Sequence, residues 1–129
     1  MTPRVLVLPA VLCCLAACDS PDSPIFCSDS VEPAIEVRVR VSESGLPAAE
    51  GATGYVQEGS YLDSLQTYGF DGQGVPLSFR AADERPGVYT VVVIKEGYVT
   101  WKKERVHVWN DECHVLTVTL SADLVPSAK

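Results

Sequence analysis

The first clear pattern in the chain is a strict alternation of apolar and polar residues at positions 35–41, in the stretch IEVRVRV. The apolar positions are Ile35, Val37, Val39 and Val41, and the polar positions are Glu36, Arg38 and Arg40. Successive side chains of a β-strand point to opposite faces, so this period of two predicts a strand with one buried face, typical of an antiparallel sheet.

The rest of the chain carries further strand patterns separated by turn residues. The run 88–94 is rich in valine and apolar on both faces, which predicts a central strand, and Pro86-Gly87 before it suits a type II turn. Residues 98–109 continue the chain, with Val106 and Val108 sharing a face. In 114–120 the pattern places Leu116, Val118 and Leu120 inward. The stretches GYVQEG, SYLDSLQTY and PLSFRA predict shorter strands, and FDGQGVP predicts a loop.

No segment of ten or more residues shows helical periodicity. Short strands with regularly spaced turns are typical of a sandwich of two sheets. The sequence therefore predicts an all-β, antiparallel β-sandwich of about seven strands with an immunoglobulin-like or prealbumin-like fold.

The N-terminus departs from this pattern, because Arg4 is followed by an apolar run from Val5 to Ala17. That run is shorter than the roughly 20 residues of a membrane-spanning helix and is typical of a secretory signal. Leu15-Ala16-Ala17-Cys18 resembles the lipobox of bacterial lipoproteins. The resemblance implies a signal peptide at residues 1–17, cleavage before Cys18, and acylation of that cysteine. A plain secretory signal or a short transmembrane anchor is the alternative.

The lipobox interpretation also assigns the neighbouring residues. Cys13 and Cys14 would be removed with the signal, and two or three acyl chains on Cys18 would hold the protein firmly in a membrane. Asp19 resembles the residue that retains lipoproteins in the inner membrane of enteric bacteria, so it hints at that membrane.

The charge balance limits the choice of partners. The chain has 10 basic and 17 acidic residues and a net charge of −7, and removing the signal with Arg4 gives 9 − 17 = −8. Nucleic-acid binding needs clustered lysine and arginine, and an acidic surface does not adhere to anionic lipid. We therefore expect no nucleic-acid partner, and contact with the membrane through the acyl chains alone.

Cys27 and Cys113 remain once Cys18 is acylated. An even number of cysteines in an exported chain favours a disulfide, although two free thiols or a metal pair with the adjacent His114 are alternatives. Residues 18–33 are rich in serine, proline and aspartate and predict a lipidated tether, whose second half the disulfide would hold.

Two motifs resemble carboxypeptidase regulatory-like domains. The first is the turn after the opening strand, and the second is Pro-Gly-x-Tyr-x-Val followed by Gly-Tyr. They are carried by Gly45, Pro47, Gly51, Ala52, Pro86, Gly87, Tyr89, Val91, Gly97 and Tyr98. The resemblance implies a prealbumin-like accessory domain at residues 34–124, without catalytic residues, followed by a C-terminal tail at 125–129. An insertion at residues 60–82 departs from the pattern of the family.

The remaining candidates for chemistry are few. We interpret the two histidines, His107 and His114, as surface or packing residues rather than catalytic or metal-binding ones. The acidic pairs Asp83-Glu84 and Asp111-Glu112 are interpreted as solvated turns rather than calcium ligands. Several aromatic residues in and around the insertion either fill the core or contact a ligand; these are Tyr55, Tyr61, Tyr68, Phe70 and Phe79.

Together these observations predict a lipid-anchored, non-catalytic interaction or structural module of the bacterial cell envelope, with no catalytic residue, cofactor or metal. Its partners would be the membrane, through Cys18, and an envelope protein or glycan. The alternative is a small glycan-, peptide- or metal-binding protein, or a hydrolase, that uses the insertion at 60–82.

Overall fold

The computed structural model describes residues 23–129, and the predicted signal peptide and Cys18 lie outside this range. The described part is all β, and contains no helix that could span a membrane. Its eight strands are β1 (Pro33–Val41), β2 (Thr53–Glu58), β3 (Tyr61–Ser64), β4 (Gln66–Thr67), β5 (Ser78–Asp83), β6 (Gly87–Ile94), β7 (Trp101–Val108) and β8 (Val118–Leu124).

The strands form two four-stranded sheets. The first has the order β4-β5-β1-β8 and the second the order β3-β2-β6-β7. All pairs are antiparallel except β1 with β8, which run parallel from Ile35↔Val118 to Val41↔Leu124. The predicted all-β sandwich is therefore confirmed, with eight strands and one parallel pair between the first and last strands of the chain.

The core lies between the two sheets and is built by the inward faces that the alternation predicted. In β1, Ile35, Val37 and Val39 are fully buried or nearly so, while Arg38 and Arg40 are exposed. In β6, Tyr89, Val91 and Val93 are fully buried. Val92, on the opposite face of β6, is also almost buried, so β6 is the predicted central strand, flanked by β2 and β7.

The turn before β6 differs from the prediction. Gly87 does not have a positive φ, which the third residue of a type II turn requires, so the prediction of that turn at Pro86-Gly87 is wrong. The chain reverses earlier, where the N–H of Arg85 donates to the carbonyl of Ala82 (3.2 Å) and both Ala82 and Glu84 adopt a positive φ.

Gly87 instead leaves room for the side chain of Glu58, since a Cβ atom there would lie 2.7 Å from both carboxylate oxygens of Glu58 and would displace them. That carboxylate accepts the N–H of Val88 and binds Arg85 at 2.9 Å, and these contacts, the N–H first, lower the pKa of Glu58. The Arg85 guanidinium lies 3.8 Å from the ring centroid of Tyr61. This cluster ties β2 and β3 to the start of β6.

Tyr89 closes the cluster from inside the core. Its hydroxyl donates to the backbone carbonyl of Arg85 (2.7 Å) and accepts from Nη1 of Arg85 (2.9 Å). The ring packs edge-on against Tyr61, with centroids 6.3 Å apart. A tyrosine whose hydroxyl bonds to the backbone a few residues upstream fixes a corner between strands in many sandwiches.

The last strand starts later than the pattern suggested. Leu116 is 52% exposed, so its predicted inward position is wrong. Residues 109–116 form a loop in which the N–H of Leu116 donates to the carbonyl of Trp109, and Val115 is the buried residue there. The alternation resumes in β8, where Leu120, Ala122 and Leu124 are buried, whereas Val118 is only half-buried.

Both ends of the described chain are attached to the sandwich. Cys27 and Cys113 form the predicted disulfide, with their Cα atoms 5.2 Å apart, so the second half of the predicted tether is held against the loop after β7. At the other end, the carbonyl of Val125 accepts the N–H of Val99, and the N–H of Ser127 donates to Gly97. The predicted C-terminal tail therefore starts as an ordered segment.

Candidate functional site

The aromatic residues of the insertion divide between the two roles that the sequence left open. Phe79 is buried in the core, and the half-buried Tyr61 packs against the core. Tyr68 and Phe70 are 44% and 56% exposed, whereas Tyr55 is half-buried. Only Tyr68 and Phe70 are therefore well placed to contact a ligand.

Phe70 lies on a loop with well-defined internal hydrogen bonds. Phe70 and Pro76 form an isolated β-bridge. The N–H of Asp71 donates to the carbonyl of Val75 (2.9 Å), and the carbonyl of Asp71 accepts the N–H of Gly74 (3.1 Å). The carboxylate of Asp71 accepts the N–H groups of Gln73 (2.8 Å) and Val75 (2.9 Å). This carboxylate caps its own turn, which explains the acidic residue in FDGQGVP without a calcium ion.

The base of this loop is docked tightly on the first sheet. The side chain of Ser78 is buried, and its hydroxyl accepts the N–H of Gly69 (3.0 Å). A Cβ atom on Gly69 would lie 2.5 Å from that hydroxyl, so glycine permits the close approach. The N–H of Leu77 donates to Gly69 (2.7 Å), and the N–H of Tyr68 donates to Ser78 (2.9 Å). The loop therefore holds Phe70 in a fixed place.

Between this loop and the outer face of β1 lies a groove of about 380 Å³. We call it the insertion groove. Its lining combines charged and apolar groups: Glu36, Arg38, Val39, Arg40, Pro47, Gly69, Phe70, Leu77 and Ser78. Pro47 reaches it because the segment after β1 folds back, forming a bridge between Arg40 and Pro47.

The two arginines of the groove are only loosely paired. Nε of Arg38 lies 3.5 Å from Glu36, and the Arg38 side chain is 63% exposed. Arg40 makes one contact, from Nη2 to Asp123 at 3.1 Å, and its side chain is 47% exposed. Both guanidinium groups therefore retain donors that face solvent.

The sequence did not identify the groove. Arg38 and Arg40 were interpreted only as the polar face of a strand, and Pro47 only as part of a turn. The insertion was the signal that pointed to this region, because the loop that carries Phe70 belongs to it.

A second cluster lies beside the disulfide and involves His114. Its Nδ1 lies 2.8 Å from Oε1 of Glu84, and its Nε2 lies 3.1 Å from Oγ of Ser28. The same Glu84 oxygen accepts the N–H of Glu32 (2.7 Å). The disulfide joins the neighbours of Ser28 and His114 and so brings together residues that are 86 positions apart.

The pKa values in this cluster reflect these contacts. The bond from the N–H of Glu32, followed by the contact with His114, holds the pKa of Glu84 below its ordinary value. The Glu84 carboxylate raises the pKa of His114, with a further contribution from the backbone of Ser28. The contact with Glu84 is an ion pair when the imidazole is protonated.

The order serine, histidine, carboxylate resembles the relay of a serine hydrolase. Such a relay also needs a pocket beside its serine that admits a substrate. A neighbouring concavity is lined by Ile25 and residues 110–113 and includes neither Ser28 nor His114. The geometry therefore supports a clamp on the N-terminal segment better than a nucleophile.

The other predicted candidates fall at separate places. His107 is exposed and stacks on Trp109, with ring centroids 6.0 Å apart. Asp83 pairs with Arg80 at 3.1 Å. Asp111 accepts the N–H groups of Cys113 and His114, which lower its pKa. Within residues 23–129, no three His, Cys, Asp or Glu side chains are grouped so as to hold a metal ion.

No family model matches the chain, and no curated protein is significantly similar to it.

Proposed function

We propose that this chain is a lipid-anchored, non-catalytic interaction module of the bacterial cell envelope and that the insertion groove binds its partner. The lipobox-like sequence before Cys18 supports the anchor. The β-sandwich with a disulfide supports an exported domain. The resemblance to carboxypeptidase regulatory-like domains supports an accessory role.

The observation that carries the binding role is the exposed, immobilised Phe70. The Phe70 side chain is 56% exposed, so its apolar surface is available for burial by a partner, and it lies next to a turn that is closed by hydrogen bonds to Asp71. Aromatic residues held in a fixed position are favoured in binding surfaces, because little entropy is lost when a partner docks.

The non-catalytic part of the proposal is supported by the surroundings of His114, the histidine that lies closest to a hydrolase-like arrangement. Its two nitrogens contact an oxygen of Glu84 and the hydroxyl of Ser28, and the neighbouring concavity is lined by neither Ser28 nor His114. We expect Ser28→Ala to leave partner binding intact, in contrast to substitutions in the groove.

The anchor can be tested with a pair of cysteine variants. Cys18→Ser should move the protein from membrane fractions into the soluble fraction, because acylation needs the thiol. Cys14→Ser is the matched control and should remain in the membrane, since that residue lies in the segment that is removed. Membrane retention of Cys18→Ser would contradict the lipid anchor.

The binding surface can be tested by photo-cross-linking in cells. A photoreactive phenylalanine placed at position 70 should form a discrete cross-linked product with an envelope component. The same group at position 109 is the control, because Trp109 is 69% exposed but lies at the end of β7 in the other sheet. Equal products from both positions, or none from position 70, would contradict the proposed surface.

A further inference from the structure

We infer that the insertion groove binds an extended protein segment that presents a carboxylate next to an aromatic or branched apolar side chain. This inference rests on the proposed function and specifies the ligand of the same site. It follows from the lining of the groove, the free donors of its arginines and the rigidity of its loop.

The cationic side of the groove fits a carboxylate. Within residues 23–129, the Arg38 side chain makes one long contact through Nε, and Arg40 uses one of its terminal nitrogens on Asp123. The terminal nitrogens of a guanidinium form a planar fork that binds carboxylates through two parallel hydrogen bonds. Both arginines extend from alternate positions of β1 on one face, so they can engage a single anionic segment.

The apolar side of the groove fits a side chain next to that carboxylate. Phe70, Pro47 and Leu77 line it, and about 380 Å³ accommodates one large side chain with its backbone. The bridge between Phe70 and Pro76 and the two hydrogen bonds that Asp71 accepts already shape the backbone of this loop, so binding orders few backbone groups.

Glu36 favours a peptide over an anionic lipid surface. It lines the same groove, where its carboxylate can accept backbone N–H groups of a peptide but would repel a layer of lipid phosphates. A peptide segment satisfies the arginines, Glu36 and the apolar wall together.

The test uses the full protein in non-ionic detergent micelles and two peptide probes. The first is acetyl-Gly-Leu-Phe-Glu-Gly-amide, and the second replaces its glutamate with glutamine. Calorimetric or NMR titration should show at least tenfold tighter binding of the acidic peptide. Arg38→Gln combined with Arg40→Gln should abolish this preference, and Phe70→Ala should weaken both peptides about equally.

The matched control is Lys102→Gln combined with Lys103→Gln, which removes the same charge from the other sheet and should keep the preference. Equal loss in this control, or saturable binding of neither peptide, would overturn the inference. Arginine-dependent binding of micelles doped with phosphatidylglycerol, without peptide binding, would overturn it in favour of a lipid. If the peptides fail while position 70 still cross-links a partner, only the ligand class is wrong and the proposed binding surface stands.

Discussion

Tyr89→Phe offers a sharp test of how the sandwich is stabilised. The substitution removes one oxygen atom and leaves the buried ring, which packs edge-on against Tyr61. The lost hydroxyl donates to the carbonyl of Arg85 and accepts from its guanidinium. Burial raises the pKa of Tyr89, so the hydroxyl stays protonated and keeps both roles across the neutral range.

The expected cost follows from these two bonds. A neutral hydrogen bond contributes about 1 kcal/mol net, and one from a charged donor contributes somewhat more. Arg85 keeps its contact with Glu58 at 2.9 Å in the variant, so losing its bond to the Tyr89 hydroxyl costs only part of the free energy of a charged hydrogen bond. We expect the free energy of unfolding to fall by about 2 kcal/mol, which lowers Tm by about 10 °C for a domain of this size.

Urea and thermal unfolding followed by the fluorescence of Trp101 and Trp109 would measure the loss. Tyr68→Phe is the control, because Tyr68 is 44% exposed and its hydroxyl makes no hydrogen bond within residues 23–129. This control should change stability by less than about 0.5 kcal/mol. A Tyr89→Phe variant as stable as the control would refute the role assigned to the hydroxyl.

Three further predictions concern the backbone, the disulfide and pH. Gly54→Ala should prevent β2 from pairing with β6, because the new Cβ would lie 2.1 Å from the backbone oxygen of Val92 in β6. Amide hydrogen exchange in β6 that stays as slow as in the native protein would contradict this. Replacing Cys27 and Cys113 with serine should cost up to about 4.5 kcal/mol in urea unfolding, because the bond closes a long loop; an unchanged midpoint would argue against that stabilisation. The contact between His114 and Glu84 should stabilise the fold most between about pH 4.3 and pH 6.5. The contribution of the carboxylate is lost as pH falls through its lowered pKa, and the contribution of the imidazole is lost as pH rises through its raised pKa. His114→Gln should therefore flatten the fall in Tm between about pH 5.5 and pH 9, and parallel profiles of the two proteins would contradict the clamp.

The hydrophobic pattern was sufficient to predict β1, through alternation with one buried face, and β6, through a run that is apolar on both faces, because both signals lie within a single strand. Val37 and Val91 occupy the core as expected. The pattern failed at Leu116, which has the period of β8 but lies in a loop fixed by a bond to Trp109. Spacing cannot show where a strand ends, since that depends on the partner strand.

The sequence by itself predicted the all-β sandwich, because local periodicity reveals strands, and it favoured a disulfide between Cys27 and Cys113, because these two cysteines remain outside the predicted signal and lipobox. Only the tertiary structure decided which side chains meet. It placed Arg38 beside Phe70 in one groove and Ser28 beside His114 at the disulfide. Such contacts join residues tens of positions apart through strand order and register, and neither quantity is encoded in the spacing of any one segment.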